Sequence, residues 1–148
     1  MITIKKILCP TDFSETSRNA LRYAKEFAMA MNAKLILLHV VEPIAATAET
    51  VPFISEAELE KTAREELDDL IRKDCPPSLA ISTLISVGLS SDIILNAIKS
   101  EDIDLVVMGS HGRTGLTRLL MGSVTEAVMR RATCPILVVK EHEKEFVS

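Results

Sequence analysis

A chain of 148 residues with 47% hydrophobic and 26% charged side chains is the size of one domain and too apolar to stay disordered. Its 17 basic residues against 21 acidic leave a net charge of −4, and four Phe and one Tyr are its only aromatics. That balance argues against gripping a nucleic-acid backbone and against stacking along single strands. The longest apolar run, Phe27 to Met31, is five residues, far short of a bilayer span, and only Ile7 to Cys9 follow Lys5 and Lys6 before Pro10. The expectation is a non-membrane, cytoplasmic protein that binds no nucleic acid. Cys9, Cys75 and Cys134 make no CxxC pair and no zinc spacing with His39, His111 or His142, so they read as buried or idle thiols.

Short β-rich runs alternate with helical periodicity, the pattern of an α/β fold. A first strand is expected over Ile4 to Cys9, halted by Pro10. Ser14 then caps a helix whose apolar positions Ala20, Leu21, Ala24, Phe27, Ala28 and Met31 share a face. Lys34 to Val41 is nearly continuous in Leu, Ile and Val, as a parallel strand covered on both faces requires, with His39 near its end. Glu42 to Ile54 is the longest irregular stretch. Ser55 and Glu58 form a capping box opening a second helix with Leu59, Ala63, Leu67, Leu70 and Ile71 inward, and the acidic positions from Glu56 to Asp69 read as its solvated face. Pro76 and Pro77 end it. A third strand is expected over Leu79 to Val87, closed by Gly88, then a helix over Ser91 to Lys99 and a fourth strand over Asp104 to Met108. Ser123 and Glu126 read as a further capping box, and Ile136 to Val139 as a last strand. These elements make a single-domain, doubly wound, five-stranded parallel sheet with helices on both faces. In the order 3-2-1-4-5 the switch point brings Pro10-Thr11-Asp12 opposite Gly109-Ser110-His111-Gly112.

The glycines after the fourth strand suit an anion site: Gly lets main-chain amides approach a ligand, and the first turn of a helix offers unpaired N–H groups to phosphate. Ser123 and Thr125 would add hydroxyls. The 21 residues from Leu105 to Thr125 contain no Asp or Glu, leaving Arg113 and Arg118 unopposed locally. Neither GxxxxGK[ST] nor GxGxxG occurs, so a P-loop NTPase and a Rossmann dinucleotide fingerprint are both unsupported.

The pattern present is Gly109-x-x-Gly112, nine residues, then Gly122-Ser123. With the opening KKILCPTDFSETS, the LLHVVE strand, the VVMGSHGRTG turn and the MGSVTEAVMRRATCPILVVK ending, the chain resembles the universal stress protein family, in its ATP-binding branch, over most of its length. The resemblance implies the adenine nucleotide alpha hydrolase-like fold. It also implies that Asp12 and the backbone at Val40 hold the ribose and adenine end of ATP, with Pro10 among the nucleotide-binding residues beside Asp12. Met108, Gly109 and Gly112 would line the turn, and Gly122, Ser123, Val124 and Thr125 would cradle the phosphates. A Mg²⁺ or Mn²⁺ would ride on the phosphates, since Mg²⁺ keeps substrate oxygens and waters as ligands. Asp12 also reads as a turn residue before a helix, and Ser123 as a plain cap. Arg113 and Arg118 stay outside the site, and His111 is expected to face solvent with no catalytic role. Ile136 to Val139 would be an apolar edge strand, and the family resemblance implies a homodimer through it. The function expected is a nucleotide-dependent stress-response switch; a slow ATPase and a nucleotide-free homodimeric scaffold are the alternatives.

Overall fold

The computed structural model describes residues 1–43, 54–112 and 121–148. Most of the irregular stretch from Glu42 to Ile54, together with Arg113 and Arg118, lies outside the described residues. The elements run β1 (Lys6–Pro10), α1 (Glu15–Met31), β2 (Lys34–Val41), α2 (Glu56–Asp74), β3 (Ile81–Val87), α3 (Ser90–Ser100), β4 (Leu105–Gly109), α4 (Ser123–Arg131) and β5 (Ile136–Val139). The strands form one parallel sheet in the order β3-β2-β1-β4-β5, as expected.

Alternation along the strands assigns the two faces. Ile7, Cys9, Leu35, Leu37, Val107 and Val139 point to the side covered by α1 and α2, where Ala20, Leu21, Ala24, Ala28, Leu67 and Leu70 meet them. Leu8, Ile36, Leu38, Val106 and Met108 point to the other side, against Ile94, Leu95, Ile98 and Val128 of α3 and α4. Burying one such Leu or Ile side chain contributes roughly 1.5–3 kcal/mol, and covering both faces is what a nearly continuous apolar strand such as β2 demands.

Local signals hold at two helix starts. Ser14 Oγ accepts from the Ser17 N–H at 3.2 Å, and Ser55 Oγ accepts from the Glu58 N–H at 3.2 Å. β1 differs from expectation: it starts later and includes Pro10. Main-chain groups alternate sides along a strand, and the Thr11 N–H bonds Leu38 O at 2.8 Å on the β2 side. The nitrogen of Pro10 therefore faces β4, where a missing N–H stops the ladder. Pairing with β4 covers only Ile7↔Leu105 and Leu8↔Val106, whereas pairing with β2 runs on to Pro10↔Leu38. Pro10 thus sits where β1 and β4 part, at the mouth of the switch-point crevice.

Cys9, in the middle of β1, is fully buried, and burial pushes its thiol from the ordinary 9.0 up to about 12, with a smaller contribution from Cys75. A thiol whose native pKa is raised stabilises the fold below pH 9.0 and loses that contribution as pH climbs toward about 12. One pH unit above the unfolded value the loss is about 1.4 kcal/mol. Urea midpoints taken at pH 8 and pH 10 should therefore fall together more steeply in the wild type than in Cys9→Ala, and equal slopes would refute the buried-thiol account.

Candidate functional site

A cleft of about 560 Å³ opens over the carboxyl ends of β1, β2 and β4, within the usual size of a ligand site. All ten residues expected at the site line it: Pro10, Asp12, Val40, Met108, Gly109, Gly112, Gly122, Ser123, Val124 and Thr125. The α2 face adds Leu59, Thr62, Ala63 and Glu66, and α3 adds Ser90 and Ile94. Glu66 borders the cleft while remaining exposed, in keeping with the solvated acidic face of α2.

The turn after β1 places Asp12. Asp12 Oδ1 accepts from the Ser14 N–H at 3.0 Å, which fixes the carboxylate at the start of α1. Between them Phe13 takes a left-handed backbone, φ 65°, a costly conformation for a bulky residue and one that recurs at functional sites. Two contacts hold it. The Phe13 N–H donates to Thr11 Oγ1 at 3.1 Å, and the Phe13 ring packs on His39, centroids 4.6 Å apart. Across the crevice Gly112 leaves the space Asp12 uses, for a Cβ there would lie 2.5 Å from Asp12 Oδ2.

The end of β2 offers its main chain. Even-numbered residues of β2 turn their N–H and C=O toward β1: the Lys34 N–H bonds Lys5 O and Leu38 O accepts from Thr11. The next rung would join Val40 N–H to Thr11 O and Val40 O to the Phe13 N–H. Neither bond exists. His39 Nδ1 lies 2.8 Å from Thr11 O, and the Phe13 N–H goes to Thr11 Oγ1. A donor and an acceptor of one residue, Val40, are left side by side at the cleft wall.

The start of α4 corrects the sequence reading. Gly122, not Ser123, is the N-cap, with no side-chain capping bond, and Ser123 is the first helical residue. The capping box does not form because the Gly122 N–H is fixed to Ser110 O at 2.7 Å, which sets the helix entry one residue early. The first intrahelical bond runs from the Glu126 N–H to Gly122 O, so by position the N–H groups of Ser123, Val124 and Thr125 have no acceptor within the helix. Two expected donors are engaged elsewhere: the Gly122 N–H as above, and the buried Thr125 hydroxyl, which donates to Gly109 O at 2.8 Å.

The glycines divide by role. A Cβ at Gly109 would meet Thr16 Cγ2 at 2.7 Å and Thr16 O at 3.2 Å, so its bareness serves the close packing of α1 on β4. A Cβ at Gly122 would meet the His111 Cα at 3.1 Å, pointing into the turn. His111 departs from expectation too: its side chain is 21% exposed, lines the cleft, and places Nε2 3.5 Å from Glu141. His39 lies near the end of β2, as expected. Sequence reasoning missed Glu42, whose Oε1 accepts from both Ser90 N–H (3.2 Å) and Ser90 Oγ (2.7 Å), closing the start of α3 from 48 residues away.

The universal stress protein family model matches residues 3–140. The chain belongs to the universal stress protein family. Among its relatives is the universal stress protein MJ0577 of Methanocaldococcus jannaschii, 33% identical, with 94% of this chain and 96% of the relative covered. Universal stress protein YxiE of Bacillus subtilis is 32% identical over 91% of this chain and 98% of its own length. The solved structure of MJ0577 superposes with a TM-score of 0.78 at 31% identity, covering 97% of this chain and all of that one (100%). A universal stress protein solved in complex with cAMP gives a TM-score of 0.66 at 26% identity, covering 93% of this chain and 98% of that chain. These neighbours share the adenine nucleotide alpha hydrolase-like fold, which is the fold of this universal stress protein as well. Among the described residues no helix is long and apolar enough to cross a membrane.

Proposed function

We propose that this universal stress protein binds ATP in the cleft, phosphates at the start of α4 and adenine at Val40, and uses occupancy as a stress-response switch. The observation that carries the reading is the state of the helix starts. Ser14 caps α1, Ser55 caps α2 and Glu42 closes α3, whereas α4 enters the cleft with no side-chain cap on its first turn. The positive end of its dipole and three main-chain donors suit a phosphate chain. Val40 suits the other end, since its N–H can donate to adenine N1 while its C=O accepts from the exocyclic amine. Asp12, an acceptor between the two, suits ribose hydroxyls. The relative solved with cAMP adds support for an adenine nucleotide as the ligand class.

Among the described residues no group of three His, Cys, Asp or Glu side chains is placed to hold a metal ion, and in this reading a Mg²⁺ or Mn²⁺ would take its ligands from phosphate oxygens and water. Binding without rapid turnover is part of this reading; both cleft histidines face protein groups, His39 Nδ1 lying 2.8 Å from Thr11 O and His111 Nε2 3.5 Å from Glu141. A slow hydrolase or a nucleotide-free scaffold is the outcome to be measured against. The chain is read as one domain in the cytoplasm, pairing through the β5 edge with a second copy; a monomer in sedimentation at micromolar concentration would overturn the pairing.

The test is calorimetry with ATP and Mg²⁺ on wild type and Ser123→Pro. Proline is well tolerated at the first helical position, and Gly122 at φ −61° and ψ 150° already has the backbone that must precede it. The variant deletes one phosphate-facing N–H and keeps the helix, so ATP affinity should fall about tenfold with Tm unchanged. A wild type that ignores ATP, or a variant that binds it equally well, would reject the site.

A further inference from the structure

We infer that Thr11 and His39 are positioning residues that hold the β1–β2 ladder open at Val40, so that this main-chain edge reads the base. The inference rests on the proposed nucleotide reading for its ligand, but its structural half stands apart from it. Left to itself, a parallel ladder continues by one N–H and one C=O per rung, and nothing in the sequence of β2 stops it at Leu38. The alternation of main-chain direction makes Thr11 O and the Phe13 N–H the next partners of Val40.

Both partners are taken by side chains. A carbonyl oxygen only accepts, so His39 Nδ1 is the protonated nitrogen in its 2.8 Å contact with Thr11 O. Thr11 Oγ1 receives the Phe13 N–H at 3.1 Å and is itself within 3.0 Å of Ser17 Oγ, which ties it to the first turn of α1. Thr11 is 5% exposed, so this latch works in a dry environment where each bond is strong. The Phe13 ring against His39 braces the left-handed turn that carries the chain away from β2. Two side chains thereby keep free the hydrogen-bonding groups on which adenine recognition depends, without needing to touch the nucleotide.

The test pairs a ligand-free readout with a ligand-dependent one. In the free wild type the Val40 amide should exchange rapidly with solvent deuterium. His39→Phe keeps a ring against Phe13 but cannot bond Thr11 O, so Val40 N–H takes that carbonyl and its exchange slows without any nucleotide. ATP affinity should then fall about tenfold and the preference for ATP over GTP shrink, while affinity for inorganic tripolyphosphate holds. His39→Asn, whose amide nitrogen occupies nearly the place of Nδ1, should restore both readouts. Thr11→Val, should His39→Phe not fold, frees the Phe13 N–H for Val40 O, and a through-hydrogen-bond NMR coupling between the Phe13 nitrogen and the Val40 carbonyl carbon, absent from the wild type, should appear. Unslowed Val40 exchange in folded His39→Phe, or no such coupling in folded Thr11→Val, would overturn the latch. Slowed exchange with base preference intact would overturn its role in recognition, and a wild type blind to ATP would remove the nucleotide reading while the exchange data still decide the latch.

Discussion

Gly112→Ala is expected to cost the protein most of its nucleotide affinity and only a modest part of its stability. The added methyl would lie 2.5 Å from Asp12 Oδ2, the far end of a side chain that can swing away, so the fold has a cheap way to accept it. The carboxylate, however, leaves the place fixed by its bond to the Ser14 N–H. If Asp12 holds the ribose, the lost bonds are charge-assisted, about 1.5–3 kcal/mol, which is roughly a ten- to hundredfold weaker Kd. Calorimetry should show Asp12→Asn losing a similar amount and the double variant losing little more than either, because both remove one contact. Thermal melts should show a loss of about 0.5–1.5 kcal/mol, the contribution of the Asp12 bond to the Ser14 N–H. Additive losses would place Gly112 on the ligand directly; an unchanged Kd would remove Asp12 from the site.

How much of this was readable beforehand depends on how local each cause is. β2 was legible to the residue because a covered parallel strand is a run of Leu, Ile and Val, and the caps at Ser14 and Ser55 were legible because cap and target lie three residues apart. The strand order and the crevice followed from the α/β alternation and the family resemblance. What escaped the sequence joins distant segments. Glu42 closes α3 through Ser90, 48 positions on, and no local pattern marks it. The Ser123 capping box is a correct local pattern overruled by the Gly122 to Ser110 bond. The open edge at Val40 requires knowing which way β2 faces, where Pro10 stops β4 pairing and that His39 turns back on Thr11. Three glycines in one spacing were read as one device, yet one makes room for Asp12, one for α1 and one for the turn at His111.

That division yields the opposite experiment at Gly109. Here the obstructing atoms are Thr16 Cγ2 at 2.7 Å and the Thr16 carbonyl at 3.2 Å, a buried side chain and the backbone of α1, neither of which can move without lifting the helix from β4. Gly109→Ala should therefore destabilise by about 1–3 kcal/mol, as overpacked cores do, and lower Tm by roughly 3–10 °C for a chain this size. Gly109→Val should be worse, adding branches at the same point. Thr16→Ser removes the methyl and leaves the carbonyl, so Gly109→Ala with Thr16→Ser should recover part of the loss and not all of it. Measured well below Tm, ATP affinity in Gly109→Ala should stay closer to wild type than in Gly112→Ala, since the Gly109 carbonyl and the Thr125 hydroxyl remain joined in any state that keeps α4 in place. A Gly109→Ala protein with unchanged Tm and lost ATP binding would reverse the assignment, making this glycine part of the cradle and not of the helix packing.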